Sequence, residues 1–328
     1  MLVVGPNGAG KTNLVEAVHV GTQAFSPRTR ADAQLIRFGC AGARVALQAE
    51  RGGNNVTVEV AIVRGEGKHA RLNGAVLSAT DQLRNELPTL VFTPDRLVVV
   101  KGGPAVRRAY IDRSLARLLP ARAILPRAYG EALGQRNAGL RKIGLGYSSK
   151  EALEPWSEQV ATLGASLQEA RVRAIEMLSP RFAEVAVALG LPECKLEHSA
   201  EPLTLELLEQ RLARDLERGT TSAGPHLDEI VVVGKGRELR SFGSQGEQRT
   251  AVLALLLAEA ELLTERDTGP PLLLLDDVLS ELDMTRRESL LERLRGLGQT
   301  IVTATSDSAL PAPADQVVQV SEGSIVAM

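Results

Sequence analysis

The stretch Leu2-Val3-Val4-Gly5-Pro6-Asn7-Gly8-Ala9-Gly10-Lys11-Thr12-Asn13 constrains the fold more than any other part of the chain. Gly5 to Thr12 fit G-x-x-x-x-G-K-[ST], a loop whose backbone N–H groups cradle phosphate oxygens. The apolar run Leu2–Val4 suits a strand buried on both faces. After the loop, Leu14, Val15 and Val18 fall on one face of a helix. Strand, glycine loop and helix thus stand in the order that puts a helix N-terminus against an anion. In such a loop Lys11 reaches the β- and γ-phosphates of a nucleotide, and the Thr12 hydroxyl ligates Mg²⁺.

At 328 residues the chain has room for one large or two ordinary domains. Its 44% hydrophobic and 24% charged content are those of a globular protein, and with 3% aromatics the core must rest on Leu, Val and Ala. Two cysteines, Cys40 and Cys194, and no secretory h-region point to a reducing, cytoplasmic setting. The most apolar stretch, Ala251 to Leu263, is interrupted by Glu259 and Glu261, so no membrane span is expected. A net charge of −2 means that a nucleic-acid partner would have to be held by a local basic patch.

Hydrophobic period divides the chain. From Ala43 to Ser78 it is two, and Asn73-Gly74 between short runs predicts a type I′ hairpin, so an antiparallel sheet follows the loop helix. "TLVFTP" (89–94) is a further strand. From Arg107 to Arg218 apolar residues recur at three and four, and punctuation by Pro120, Pro126, Pro155, Pro180 and Pro192 predicts several helices of moderate length. Strand and helix patterns return near Gly224: "EIVVVGKG", a buried helix from "EQRTAVLALLLAEAELL", then "PLLLLDD" and "TIVTATS". The expected architecture is α/β: a discontinuous nucleotide-binding head with a mixed sheet over 1–105 and 222–328, and a mainly α-helical arm over 106–221.

Asp276 closes the run Leu272–Leu275, where a strand-end carboxylate beside the loop can hold Mg²⁺. Asp277 follows, placed to orient or deprotonate an attacking water. Lys11 and Asp276 stand 265 positions apart, more than a compact kinase or small GTPase uses. Between them, Ser244-Gln245-Gly246-Glu247 resembles the ABC signature and precedes a helix; Ser280-Glu281-Leu282-Asp283 resembles the D-loop. In that class two heads sandwich ATP, so Ser244 and Gly246 would act in trans on the partner's nucleotide.

Over nearly its whole length the chain resembles the RecF family of bacterial recombinational repair. The resemblance is carried by "GPNGAGKTNLVEA", "VFTPDRLVVVKGGPAVRRAYID", "RNAGLRK", "TSAGPHLDEI", "SQGEQRT" and "LLLLDDVLSELD". It implies an ABC-type P-loop ATPase head with a helical arm, ATP and Mg²⁺ as cofactors, and an ATP-dependent homodimer that closes on double-stranded or gapped DNA. It further implies action with RecO and RecR to help load RecA in DNA repair, replication restart and the SOS response. By motif, ATP falls to Gly5–Asn13 and, in trans, Ser244 and Gly246; Mg²⁺ to Thr12 and Asp276; hydrolysis to Lys11, Asp276 and Asp277. Arg107, Arg108, Arg141 and Lys142 are candidate phosphate-backbone contacts, and Arg136, Arg171, Arg173, Arg286 and Arg287 are further basic residues of the same stretches.

Departures from the family pattern set further expectations. Met1 lies inside the loop strand, where family chains begin with a strand and an adenine-contacting segment; either the start is placed too late, or the chain as written is expected to leave a sheet edge uncovered and to bind nucleotide weakly. Leu227 replaces the usual arginine in "GPHLDEI", and His226 beside it is expected to be a hydrogen-bonded structural residue. Thr305 and Ser306 stand where transporter heads carry a phosphate-sensing histidine, and no glutamine lies between Val91 and Gly103. With the short Asp277 in place of a glutamate, these features predict weak, DNA-stimulated hydrolysis that acts as a switch. The competing readings are a transporter-type ABC head and a hydrolysis-deficient nucleotide-binding scaffold.

Overall fold

The computed structural model describes residues 1–328 except Arg30, Asp267, Thr268 and Met328, and except the side chains of Asp81, Glu281 and Ala327. The chain divides into two compact units: Met1–Arg96, Ala188–Gly190 and Val252–Met328 form the first, Leu97–Val187 and Leu191–Ala251 the second.

In the first unit a six-stranded sheet runs in the order Ser324–Ala327, Val317–Ser321, Leu2–Val4, Thr300–Ala304, Leu272–Leu275, Thr89–Phe92. All neighbours are parallel except the Val317–Ser321/Ser324–Ala327 hairpin, so the sheet is mixed. Leu2–Val4 pairs on both sides, which is why all three residues are apolar and buried. On one face of this sheet Val3, Val91, Leu274 and Ile301 pack with Val15, Leu14 and Val18 of the Lys11–Gln23 helix. Val20 and Ala24 of the same helix pack against Val56, Val58, Val60 and Ala70. Those four belong to an antiparallel sheet ordered Gly42–Arg51, Asn54–Val63, Gly67–Leu72, Ala75–Val76. Gly21 permits this close approach: a Cβ there would stand 2.3 Å from a Leu47 methyl. Asn73 and Gly74 take φ of 49° and 83°, the type I′ turn that the dipeptide predicts.

The second unit is built on helices Pro104–Leu118, Leu125–Gly144 and Glu154–Ala188, the last residue of which belongs to the first unit. Leu115, Tyr129, Val160, Leu167 and Ala174 form its core. Two expectations are corrected here. The second unit has several helices as expected, but Glu154–Ala188 is one helix of 35 residues that runs through Pro180, where a break was expected. Pro180 and Glu176, whose carbonyl loses its i+4 donor, both lie on the exposed face, so the freed carbonyl is open to solvent while Leu178, Phe182 and Val185 stay buried on the other. The strand of "EIVVVGKG", Glu229–Gly234, does not extend the loop sheet. It pairs antiparallel with Cys194–Ser199 and Arg237–Glu238, and residues 229–232 alternate between half-buried and buried as a one-sided strand does. The compact units divide mainly after Arg96 and Ala251.

Charge is buried in this unit. Arg171 binds Asp112 through Nε–Oδ1 at 2.8 Å and Nη2–Oδ2 at 3.0 Å, and Asp228 through Nη1–Oδ2 at 3.1 Å. Beside it the Tyr129 hydroxyl donates to His226 Nδ1 at 2.7 Å, and His226 Nε2–H donates to the Thr221 carbonyl at 3.0 Å. His226 thus holds a structural, hydrogen-bonded place. Burial, reinforced by Arg108, holds its pKa below the ordinary 6.5. A lowered folded pKa means that the unfolded chain takes up the proton first, so this contribution is complete above pH 6.5 and lost as pH falls through the folded value. Urea denaturation between pH 7 and 5 is expected to show stability falling with acid, with a flatter slope in His226→Gln. An unchanged slope in that variant would show that His226 is not the titrating group.

Candidate nucleotide site

The loop between Val4 and Lys11 is shaped by two glycines with positive φ, Gly8 at 83° and Gly10 at 108°. Gly5 is required for a different reason: a Cβ would stand 2.3 Å from the Val320 carbonyl oxygen of the neighbouring strand. The Ala9 carbonyl accepts from Gly323 N at 3.2 Å, so the loop is tied to the hairpin beside it. Gly10 caps the Lys11–Gln23 helix with no side-chain partner, which leaves the first-turn N–H groups directed at the loop. Lys11 Nζ donates to the carbonyls of Gly5 at 2.8 Å and Pro6 at 3.0 Å.

Asp276 comes to this loop from 264 residues away: Thr12 Oγ1 donates to its Oδ2 at 2.8 Å. The carboxylate is 3% exposed, and its other oxygen accepts from Thr303 Oγ1 at 2.8 Å. Thr303 in turn accepts from Asp277 N at 2.9 Å. Asp277 is exposed and takes φ of 52°, a left-handed backbone that aspartate tolerates better than most residues. Its carbonyl accepts from Ser280 Oγ at 3.0 Å, and Asp283 caps the Met284–Leu294 helix by accepting from Arg286 N at 2.9 Å. The D-loop stretch is thus a tight connection between strand end and helix start; the Glu281 side chain lies outside the described residues.

Thr303 is the site residue that sequence reasoning missed. Its signal was spacing: it follows core residue Ile301 by two, as Asp276 follows Leu274, on adjacent strands in register. Thr305 and Ser306, which stand where transporter heads carry a histidine, are exposed beyond the strand end.

Ser244, in the second unit, caps the Gln245–Thr264 helix reciprocally: its Oγ accepts from Glu247 N at 3.2 Å and its N–H donates to Glu247 Oε2 at 2.8 Å. Ser244 is exposed and Gly246 half-buried, at a helix N-terminus with its hydroxyl facing solvent. Among the arginines, Arg107 is 3% exposed, donates to the Gly102 carbonyl and pairs with Glu229, so it has no surface to offer a phosphate backbone. Arg136 and Arg171 are likewise buried, and half-buried Arg108 donates to the Asp228 carbonyl at 2.8 Å. Arg287 serves the carbonyls of Leu279, Leu282 and Ala309, and Arg286 lies 3.5 Å from the Asp283 carboxylate. Arg141, Lys142 and Arg173 are exposed.

A glycine loop whose threonine meets a strand-end aspartate on a mixed sheet, in a chain with a helical second unit, defines an ATPase head of the ABC type. The family model described as the RecF/RecN/SMC N terminal domain matches residues 1–325. The chain belongs to the RecF family: the DNA replication and repair protein RecF of Anaeromyxobacter dehalogenans is 39% identical, covering 95% of this chain and 88% of the relative. That of a Synechococcus species is 35% identical over 99% of this chain and 90% of its own. Among solved structures, the recombination mediator protein RecF with ATP superposes with a TM-score of 0.87 at 28% identity, covering 100% of this chain and 91% of that one. An Smc head bound to the C-winged helix domain of ScpA shares the fold, with a TM-score of 0.57 at 18% identity over 100% of this chain and 89% of its own. Among the described residues no helix is long and apolar enough to cross a membrane.

Proposed function

We propose that this chain is an ATP-dependent DNA-binding protein of recombinational repair, in which ATP and Mg²⁺ close a homodimer on double-stranded or gapped DNA and slow hydrolysis reopens it. The observation that carries the reading is the hydrogen bond between Thr12 and Asp276, which joins a phosphate loop to a buried strand-end carboxylate in a chain of the RecF family. The loop N–H groups and Lys11 would hold the phosphates, Thr12 and Asp276 the Mg²⁺, and Asp277 the attacking water. Both oxygen donors suit Mg²⁺, which favours carboxylate and hydroxyl oxygen. Ser244 and Gly246, at a solvent-facing helix N-terminus, are suited to a γ-phosphate presented by a second copy. Exposed Arg141, Lys142 and Arg173 are the phosphate-backbone candidates; Arg107 is withdrawn from that role by its burial and Arg108 by its bond within the fold. Partnership with RecO and RecR, help in loading RecA, and a cytoplasmic location follow from family membership and are part of the proposal. A transporter-type head finds no support in a family of repair proteins.

The test is molar mass in solution with ATP, ADP or no nucleotide, with and without double-stranded DNA. A dimer is expected only with ATP, tightened by DNA, and absent in Ser244→Arg, where a long side chain fills the phosphate position. A wild-type monomer under every condition would refute the clamp reading. A DNA-bound species that never turns ATP over would favour the hydrolysis-deficient scaffold.

A further inference from the structure

Asp276 stands in a row of hydroxyls, and one of them is unsatisfied. Val91, Leu274 and Ile301 lie on three adjacent parallel strands and face the Lys11–Gln23 helix. Side chains alternate along a strand, so the residues two further on, Thr93, Asp276 and Thr303, share that face at the strand ends. The ladder bond from Asp276 N to the Phe92 carbonyl at 2.9 Å carries the register one residue past the strands and sets Thr93 next to Asp276. Thr303 and Thr12 each donate to one carboxylate oxygen. Thr93 does neither: it is 2% exposed, and its Oγ1 is buried without a hydrogen-bond partner among the described residues.

A buried hydroxyl with no partner destabilises the protein that carries it, because its hydration is lost and nothing replaces it. Such a group beside a metal-binding carboxylate acquires its partner when the site fills. Mg²⁺ keeps several of its waters in protein sites, and each of those waters needs an acceptor. Both Asp276 oxygens already accept one hydroxyl, although each retains a lone pair.

We propose that Thr93 is a ligand-shell residue of the nucleotide site, its hydroxyl accepting from a water held by the nucleotide-bound divalent cation. The proposal rests on the reading of this site as one for nucleotide and metal. It assigns Thr93 a role in cation affinity that is separate from phosphate binding, which belongs to the glycine loop and Lys11. Thr303, satisfied on both sides, holds the two aspartates in place whether or not the cation is bound.

The experiment compares wild type, Thr93→Val and Thr93→Ser, with Mn²⁺ and ADP as probes. Free Mn²⁺ is followed by electron paramagnetic resonance at saturating ADP, ADP binding is measured separately in EDTA, and melting is recorded without nucleotide. Thr93→Val is expected to weaken Mn²⁺ about tenfold, to leave ADP affinity in EDTA within about twofold, and to raise the melting temperature by about 2–4 °C, since an unsatisfied hydroxyl is replaced by a methyl of the same shape. Thr93→Ser is expected to restore the cation affinity. Unchanged Mn²⁺ affinity in Thr93→Val overturns the proposal, as does a melting temperature that falls together with ADP affinity, the mark of a packing role. Wild type that binds neither ADP nor its Mn²⁺ complex overturns the nucleotide reading itself and this proposal with it; wild-type binding alongside an indifferent variant overturns this proposal alone.

Discussion

Arg136→Ala is expected to lower the stability of the chain by about 3–5 kcal/mol, the cost of leaving one partner of a buried ion pair uncompensated. Arg136 is 1% exposed, and Asp215 is fully buried. Arg136 Nη1 donates to Asp215 Oδ2 at 2.8 Å and to Thr221 Oγ1 at 2.7 Å, and Nε to Ser157 Oγ at 3.2 Å. The second Asp215 oxygen accepts from Ser222 N at 2.9 Å and Ser222 Oγ at 2.6 Å. Every polar atom of the carboxylate is therefore satisfied in the native protein, and truncating the arginine strands a charge in a medium that cannot solvate it. One control separates this from loss of volume: Arg136→Met combined with Asp215→Leu, which removes both charges, should recover most of the loss. By contrast Arg127, paired with Glu131 at 2.8 Å on a surface where their side chains are 75% and 66% exposed, should cost no more than about 0.5 kcal/mol when truncated. Urea denaturation followed by circular dichroism reads all three variants; an Arg136→Ala cost near that of Arg127→Ala would refute the account.

Asp277→Asn is expected to cut ATP turnover about 10²–10⁴-fold while leaving nucleotide affinity nearly unchanged. In the proposed role of base the carboxylate would take a proton from water, but the backbone at Asp277 is left-handed, and any substitution changes both unless it is chosen with care. Asparagine is at home in that conformation, keeps the N–H that donates to Thr303, and lacks only the basic carboxylate. Asp277→Ala should lose turnover equally and in addition strain the connection to Ser280 by about 1–2 kcal/mol. The measurement is kcat and KM for ATP with and without DNA, beside the ATP-dependent molar mass. A variant that hydrolyses within threefold of wild type would remove Asp277 from the role of base. A variant that dimerises on ATP and stays dimeric would match a switch held in its closed state.

Different parts of this protein were legible to different degrees. The glycine loop, its strand and its helix could be read directly, as could Asp276 at the end of four leucines, since each is a run of neighbours in sequence. The hairpin at Asn73-Gly74 was equally local. Thr93 and Thr303 were not legible, because a threonine near a strand end is ordinary until the strands on either side are known. The arginines misled for a related reason. Arg107, Arg136 and Arg171 look in sequence like members of a basic surface, yet their carboxylate partners lie up to 122 residues away. Pro180 reads as a helix stop, and only the exposure of Glu176 and Pro180 together shows why the helix continues.

Read from the sequence alone, the local chemistry was clear: a phosphate loop, a carboxylate at the end of an apolar strand, a capped helix start with serine at its head, and a family. Those depend on residues within a turn or strand of one another, where covalent connection keeps partners close. The tertiary structure decided which charges are buried, which hydroxyls are satisfied, and which strands share a sheet. Hydration is lost only when distant segments close over a side chain, and no stretch of sequence specifies alone what will cover it.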